Sequence, residues 1–105
     1  MDIQSHKQLL ETLQPYASLQ VTAIYTQWDS ESADEEEVID FQAKLQEFRL
    51  TDNEFGEKDL FLLFVDGDEE IELLMEIPAA EEDLGVLDDG QFRLFGTEAE
   101  LILKK

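Results

Sequence analysis

Asp59–Pro78, with the sequence DLFLLFVDGDEEIELLMEIP, predicts a β-hairpin of two unlike strands. Leu60–Val65 is continuously apolar and too short for an ordinary helix. Asp66-Gly67 then gives a strong signal for a hairpin turn, and Pro78 ends the second strand because proline cannot donate to a sheet ladder. A strand that is apolar on both faces is typical of a sheet interior. We therefore expect Leu60–Val65 to lie centrally, with cover on each side.

The returning strand alternates in polarity, which predicts that it lies half in water. Its apolar side chains share one face: Ile71, Leu73, Met75 and Ile77. Its carboxylates lie mainly on the other face: Glu70, Glu72 and Glu76. Because glutamate is a poor strand former and neighbouring like charges repel, such a row costs some stability.

A short amphipathic helix is predicted near the N-terminus. Ser5 and Gln8 fit a capping box, in which the serine hydroxyl and the glutamine side chain satisfy free backbone donors of the first turn. The apolar stripe of the helix consists of Leu9, Leu10 and Leu13. Pro15 ends the helix by restricting the residue before it. A short amphipathic helix of this kind is expected to lie on a sheet.

Leu19–Thr26 is rich in β-branched and aromatic residues and predicts a strand. Asp29–Glu37 follows, with six carboxylates in nine residues and no large apolar side chain. It can bury nothing, so we expect a solvated, mobile connection.

Val38–Leu50 fits two structures. The spacing of Val38, Phe41, Leu45 and Phe48 suits a helix. The residues from Ile39 to Gln46, however, alternate without a break, and the phase slips once at Glu47, as it does at a β-bulge. We favour a bulged strand and keep the helix as the alternative.

The C-terminal third predicts a short helix and a second hairpin. Pro78 as first helical residue and Gly85 just beyond the end bracket a helix over Ala79–Leu84. Asp88-Asp89-Gly90 is a turn signal. Two strands then follow on either side of Gly96-Thr97: Gln91–Phe95 and Glu98–Leu103.

These elements assemble most economically as an α+β fold. The N-terminal helix packs on a mainly antiparallel sheet of five to six strands, in two layers. Short connections favour a meander-like strand order, because sequential strands usually neighbour each other. The length of 105 residues predicts a single domain, residues 1–105.

The charge balance limits the partners. Seven Lys and Arg face 27 Asp and Glu, which gives a formal net charge of −20. Nucleic acid and anionic membranes would be repelled, so direct binding to either is not expected. The chain has no cysteine, no apolar run of membrane-spanning length and no basic-then-apolar start of a secretory signal. We expect a cytoplasmic protein.

Enzymatic residues and cofactor sites are not predicted. The single histidine, His6, is interpreted as a surface residue, since no serine-centred motif accompanies it, and no glycine-rich phosphate loop is present. Asp66-Gly67-Asp68-Glu69-Glu70 superficially resembles a calcium loop, but Ile71 stands where that loop requires glycine. In so acidic a chain, pairs of carboxylates occur by chance, so such a pair is no evidence for a catalytic or metal site. We therefore name no catalytic residue, no metal ligand and no cofactor.

The clustering of acids leaves a binding function as the leading hypothesis. A non-enzymatic domain of this kind would dock on a basic partner surface, as an inhibitor, an immunity-type protein or a nucleic-acid mimic. The candidate partner-binding residues are Asp34, Glu35, Glu36, Glu37, Asp66, Asp68, Glu69, Glu70, Glu72 and Glu76. The alternatives are a soluble domain whose acidity serves only solubility, and a small-ligand-binding domain. The choice between monomer and dimer stays open.

Overall fold

The computed structural model of the chain describes residues 1–29 and 32–105, and the side chains of residues 29–35 lie outside what it describes. One helix, α1 (His6–Leu13), is followed by a 3-10 turn, Gln14–Tyr16. The strands are β1 (Asp2–Ile3), β2 (Gln20–Asp29), β3 (Ser32–Asp52), β4 (Lys58–Asp66), β5 (Glu69–Ile77), β6 (Gly85–Asp88), β7 (Gln91–Phe95) and β8 (Ala99–Lys104).

The predicted fold class is wrong. The strands form one eight-stranded antiparallel sheet in the order β1-β6-β7-β8-β2-β3-β4-β5, in place of a helix on five to six strands. Meander order holds within β2–β5 and within β6–β8, but β5 and β6 lie far apart. The two runs are joined because β8 returns to pair with β2. Leu60–Val65 is therefore one strand away from an edge, and the prediction that it is central is wrong.

The sheet curls strongly on itself. Strands β5 and β8 are separated by three strands, which in a flat sheet means about 19 Å at about 4.8 Å per step. Yet the Thr97 N–H, in the turn before β8, donates to the Glu76 carbonyl of β5 at 3.0 Å. The hydroxyl of Tyr25 on β2 also reaches the Leu74 carbonyl of β5, at 3.4 Å. The inner face of the sheet thus encloses most of the core itself.

The helix contributes to that core from its apolar side. Leu9 and Leu13 are fully buried, whereas Leu10 is only partly buried. Ser5 caps the helix as predicted, accepting a hydrogen bond from the Gln8 N–H at 3.1 Å. The Gln8 side chain reaches back one residue further than a capping box requires, to the N–H of Gln4. The helix ends before Pro15 as predicted, although the chain continues into the 3-10 turn.

The central hairpin of the sequence is confirmed. Strands β4 and β5 pair in register from Lys58↔Ile77 to Asp66↔Glu69. Gly67 has a φ of 61° and Asp68 has no positive φ, which is the pattern of a type II′ turn. The inward side chains of β4 are fully buried, but the outward ones, Phe61, Leu63 and Val65, are only half-buried. The expected cover on both faces of this strand is absent from the described residues.

The bulged strand over Val38–Leu50 is confirmed, and the helix is excluded. The β3–β4 register shifts between Leu45 and Glu47, so Gln46 is the extra residue. The mobile connection over Asp29–Glu37 is wrong for most of that segment, because β3 begins at Ser32 and pairs with β2. The remainder of that prediction falls on Ser30 and Glu31, outside the described residues.

The predicted helix over Ala79–Leu84 is also wrong, because the segment is an irregular loop. Distant residues set its conformation: the Glu81 carboxylate accepts from the His6 N–H at 3.0 Å, and Glu57 accepts from the Ala79 N–H. Gly85 does not cap a helix but starts β6, where an added Cβ would lie 2.5 Å from the Arg93 carbonyl oxygen. Close strand packing therefore explains this glycine.

Candidate functional site

The structure separates the ten candidate acids into groups. The side chains of Asp34 and Glu35 lie outside the described residues. Glu36 and Glu37 are exposed near the start of β3. The turn between β4 and β5 carries three exposed carboxylates, those of Asp66, Asp68 and Glu69, and we call it the acidic turn. Two more exposed carboxylates, those of Glu70 and Glu72, project from β5.

Glu76 differs from the other candidates whose side chains are described, because its carboxylate makes hydrogen bonds within the fold. It accepts hydrogen bonds from the Asn53 side-chain amide at 3.1 Å and from the Thr97 hydroxyl at 2.8 Å. Leu74 separates it from Glu72 on the same face of β5. The acidic row on β5 is therefore reduced to Glu70 and Glu72, about 7 Å apart at about 3.4 Å per residue.

An apolar row lies beside these two carboxylates on the outer face of the sheet. Cross-strand pairing places Val65 next to Glu70, Leu63 next to Glu72 and Phe61 next to Leu74. Leu74 is 61 % exposed. We call these six side chains the hairpin face. Half-buried apolar side chains with a charged border are the composition of a protein–protein contact surface.

The opposite border of the hairpin face comes from β3 and has mixed charge. Lys44, Glu47 and Arg49 pair with Val65, Leu63 and Phe61. The guanidinium carbon of Arg49 lies 4.9 Å from the centre of the Phe61 ring, within cation–π range. Arg49 also contacts Glu47 at 3.6 Å. The acidic border is therefore on the β5 side.

Strand β5 is one edge of the sheet, and part of that edge is already occupied. The backbone N–H and C=O groups of β5 that point away from β4 belong to the residues whose side chains lie on the outer face of the sheet. The carbonyls of Leu74 and Glu76 accept from Tyr25 and Thr97. Towards the turn, the outward groups of Glu70 and Glu72 have no protein partner among the described residues.

The sequence analysis named only acidic residues as candidates and missed the apolar side chains that are exposed or half-buried beside them. Val38 and Ile39 on β3 are 58 % and 48 % exposed, and Trp28 opposite Glu36 is also exposed. One sequence signal for the outer-face apolar residues was present: Leu60–Val65 is apolar on both faces. We interpreted that run as a strand in the sheet interior. A strand one step from an edge has the same pattern when its outer face carries half-buried apolar side chains, as β4 does.

The pKa values of one aspartate and two tyrosines are shifted by their surroundings. The Lys58 ammonium donates to the Asp52 carboxylate, and this hydrogen bond together with its positive charge lowers the pKa of Asp52. Burial raises the pKa values of Tyr16 and Tyr25.

His6 is not the surface residue that the sequence predicted. Its side chain is 12 % exposed; Nε2 lies 2.9 Å from the Pro78 carbonyl oxygen and Nδ1 3.1 Å from a Glu81 carboxylate oxygen. These contacts tie the first turn of α1 to the loop before β6. Among the side chains that the structure describes, no three of His, Asp or Glu converge into a set that could hold a metal ion.

A shallow depression of about 290 Å³ lies on the outer face of β6 and β7, lined by Val86, Asp88, Asp89, Gln91, Arg93 and Phe95. The cation of this depression is already paired, because Arg93 Nε lies 3.1 Å from a Glu100 carboxylate oxygen. The other polar side chains of the depression are those of Asp88, Asp89 and Gln91.

None of the helices in the described part of the chain is long and apolar enough to span a membrane. Comparison with protein-family models, with curated proteins and with solved structures finds no match to this chain.

Proposed function

We propose that the protein is a non-enzymatic binding domain that docks on a basic surface of another protein through the hairpin face and the adjacent acidic turn. One observation carries the proposal. Half-buried apolar side chains of β4 lie directly beside Glu70 and Glu72 on the solvent side of a rigid, paired hairpin. Apolar area supplies affinity, and the carboxylates attract and orient a cationic partner.

The geometry favours a protein partner site over a simple imitation of a nucleic-acid backbone. A phosphate-like surface needs a long, regular series of charges. On β5 the series stops after two carboxylates, where Leu74 interrupts it and Glu76 is hydrogen-bonded within the fold. Mixed apolar and acidic character suits an inhibitor or immunity-type domain better.

The test is a pull-down from lysate with the protein immobilised, washed at about 0.15 M salt, where exposed charges are screened beyond about 8 Å. We expect at least one basic protein to survive the wash. The variant Glu70→Gln/Glu72→Gln should lose that protein, because it removes both carboxylates of the hairpin face and leaves the backbone pairing in place.

The matched control is Glu54→Gln/Glu82→Gln, which removes the same number of exposed charges away from the hairpin face. This control should retain the partner. The proposal is wrong if only non-specific basic proteins are recovered at low salt, or if both double variants lose the same partner equally. In the second case net charge alone would explain the binding.

A further inference from the structure

Strand β3 leaves one of its sides unpaired over much of its length. β4 pairs with β3 from Asp52 back to Lys44 and then turns away at Asp66. β3 continues to Ser32 with β2 along its other side. Among the residues that the structure describes, no strand pairs with residues 36–42 on the β4 side. We call this stretch the open edge.

The open edge presents backbone donors and acceptors at alternate residues. The Leu45 N–H donates to the Leu19 carbonyl on the β2 side, at 3.3 Å. Antiparallel pairing alternates, so Lys44 and every second residue before it direct their backbone groups toward the β4 side. These residues are Glu36, Val38, Asp40 and Gln42. Within the described chain their outward N–H and C=O groups have no partner.

The side chains along the open edge are exposed on both faces of the sheet. Val38 points to the outer face and Ile39 to the inner face, and about half of each is accessible, at 58 % and 48 %. A strand added at this edge would cover both. An unpaired strand with exposed apolar side chains is a template for pairing with another chain.

We propose that the open edge accepts an extended, basic segment of the partner protein as an added strand. This inference rests on the proposed function and specifies its binding mode. Backbone hydrogen bonds supply affinity in such strand addition, and alternate side chains supply specificity. The segment would place basic side chains beside Asp40 and Glu36 on the outer face, and an apolar side chain beside Ile39 on the inner face.

Charge selects this occupant over a second copy of the chain. Residues 36–42, EEVIDFQ, carry three carboxylates and no cation. Two copies paired along this edge would bring six carboxylates together, and neighbouring like charges on a sheet are destabilising. The acidic turn lies at the end of the open edge, since Val65 pairs with Lys44, and it adds further negative charge there. A cationic strand is complementary to all of these groups.

The probe is a capped peptide of alternating lysine and valine, titrated into the full-length protein by calorimetry at about 0.15 M salt. Two control peptides have the same charge: one N-methylated at every backbone amide, so that neither of its edges can donate to a ladder, and one alternating lysine and glycine. We expect the N-methylated peptide to bind about five- to tenfold more weakly or not at all, because it cannot form the ladder. Amides of Val38, Asp40 and Gln42 should become protected from hydrogen exchange with the lysine–valine peptide and not with the N-methylated peptide. The lysine–glycine peptide should bind more weakly than the lysine–valine peptide, because it lacks the apolar side chains.

The protein variant Val38→Pro removes one outward N–H without changing charge or the pairing with β2, and Val38→Ala keeps that N–H. We expect the proline variant to weaken binding by about fivefold or more, and the alanine variant, which loses only side-chain contact, to weaken it less. If Val38→Pro does not fold, the N-methylated peptide decides the question on the natural chain. Equal affinity for all three peptides overturns strand addition while leaving charge-based docking intact, and no binding by any peptide overturns it too. A stable dimer with these amides already protected would assign the edge to a second copy.

Discussion

Glu76 on β5 and Thr97 in the β7–β8 turn are joined twice. The Thr97 N–H donates to the Glu76 carbonyl at 3.0 Å, and the Thr97 hydroxyl donates to the Glu76 carboxylate at 2.8 Å. Gly96 permits this approach, because an added Cβ would lie 2.7 Å from the Glu76 carbonyl oxygen. The two residues thereby connect the edge strand β5 to the β7–β8 turn and hold the curled sheet together.

The first prediction concerns the hydroxyl of that connection. Thr97→Val should destabilise the fold by about 1 kcal/mol, since the Glu76 carboxylate loses a donor while the shape of the side chain is preserved. Thr97→Ser keeps the donor and should cost less. Urea unfolding of both variants measures the difference. Equal stability of Thr97→Val and the natural protein would mean that the hydroxyl contributes nothing to the closure.

The second prediction compares the two faces of β4. Leu62 is fully buried, so Leu62→Ala should cost about 2–5 kcal/mol, and the same range applies to Phe64→Ala. Leu63 belongs to the half-buried hairpin face, so Leu63→Ala should cost only about 1 kcal/mol. Denaturant unfolding at equal protein concentration gives the three values. Similar costs at Leu62 and Leu63 would show that the outer face is covered and not available to a partner.

Local signals in the sequence predicted two hairpin turns and the β3 bulge correctly. Gly67 and the pair Asp89-Gly90 have the positive φ angles that their hairpin turns require, at 61°, 51° and 75°. The phase slip at Glu47 placed the β3 bulge correctly, because burial of one face fixes the register on either side of it. Each of these signals lies within a few residues of the structure that it predicts.

Non-local contacts explain the failures. Strand β1 has two residues and strand β6 has four, which is too few to show a periodic sequence pattern. Both are strands because they pair with other strands of the sheet. The curl depends on contacts such as Tyr25 with Leu74, which lie far apart in the chain. The acidic candidates were found by composition, but only the fold could separate the engaged Glu76 from the exposed Glu72. The open edge of β3 exists because β3 extends beyond the residue that pairs with the end of β4, and the register between these two strands is a non-local property.

The third prediction concerns self-repulsion. With a net charge of −20, added sodium chloride should raise the melting temperature by several degrees between about 0.02 M and about 0.5 M, since screening weakens repulsion among the acids. Glu72→Gln should be neutral or mildly stabilising at low salt, because Glu72 is exposed and makes no ion pair in the described chain. Calorimetry at several salt concentrations tests both statements. A flat or falling melting temperature would contradict repulsion as a significant cost, and unfolding by Glu72→Gln would mean that the strand faces are assigned wrongly.

The last prediction concerns alkaline pH. Burial raises the pKa values of Tyr16 and Tyr25 above their ordinary value of about 10. Below that pH both residues are neutral in the folded and the unfolded chain, so their contribution to stability is fully present. As the pH rises through about 10, the unfolded chain ionises first, so the free energy of unfolding should fall until the folded chain ionises too.

The double variant Tyr16→Phe/Tyr25→Phe tests this dependence. It loses the hydroxyl hydrogen bonds to the carbonyls of Gly90 and Leu74 and should be less stable at neutral pH. Its stability should nevertheless fall less steeply between about pH 9.5 and about pH 11.5. Urea unfolding across this range, with each single variant as a control, separates the two residues, and identical slopes for the natural and double-variant proteins would show that burial of the hydroxyls does not govern alkaline unfolding.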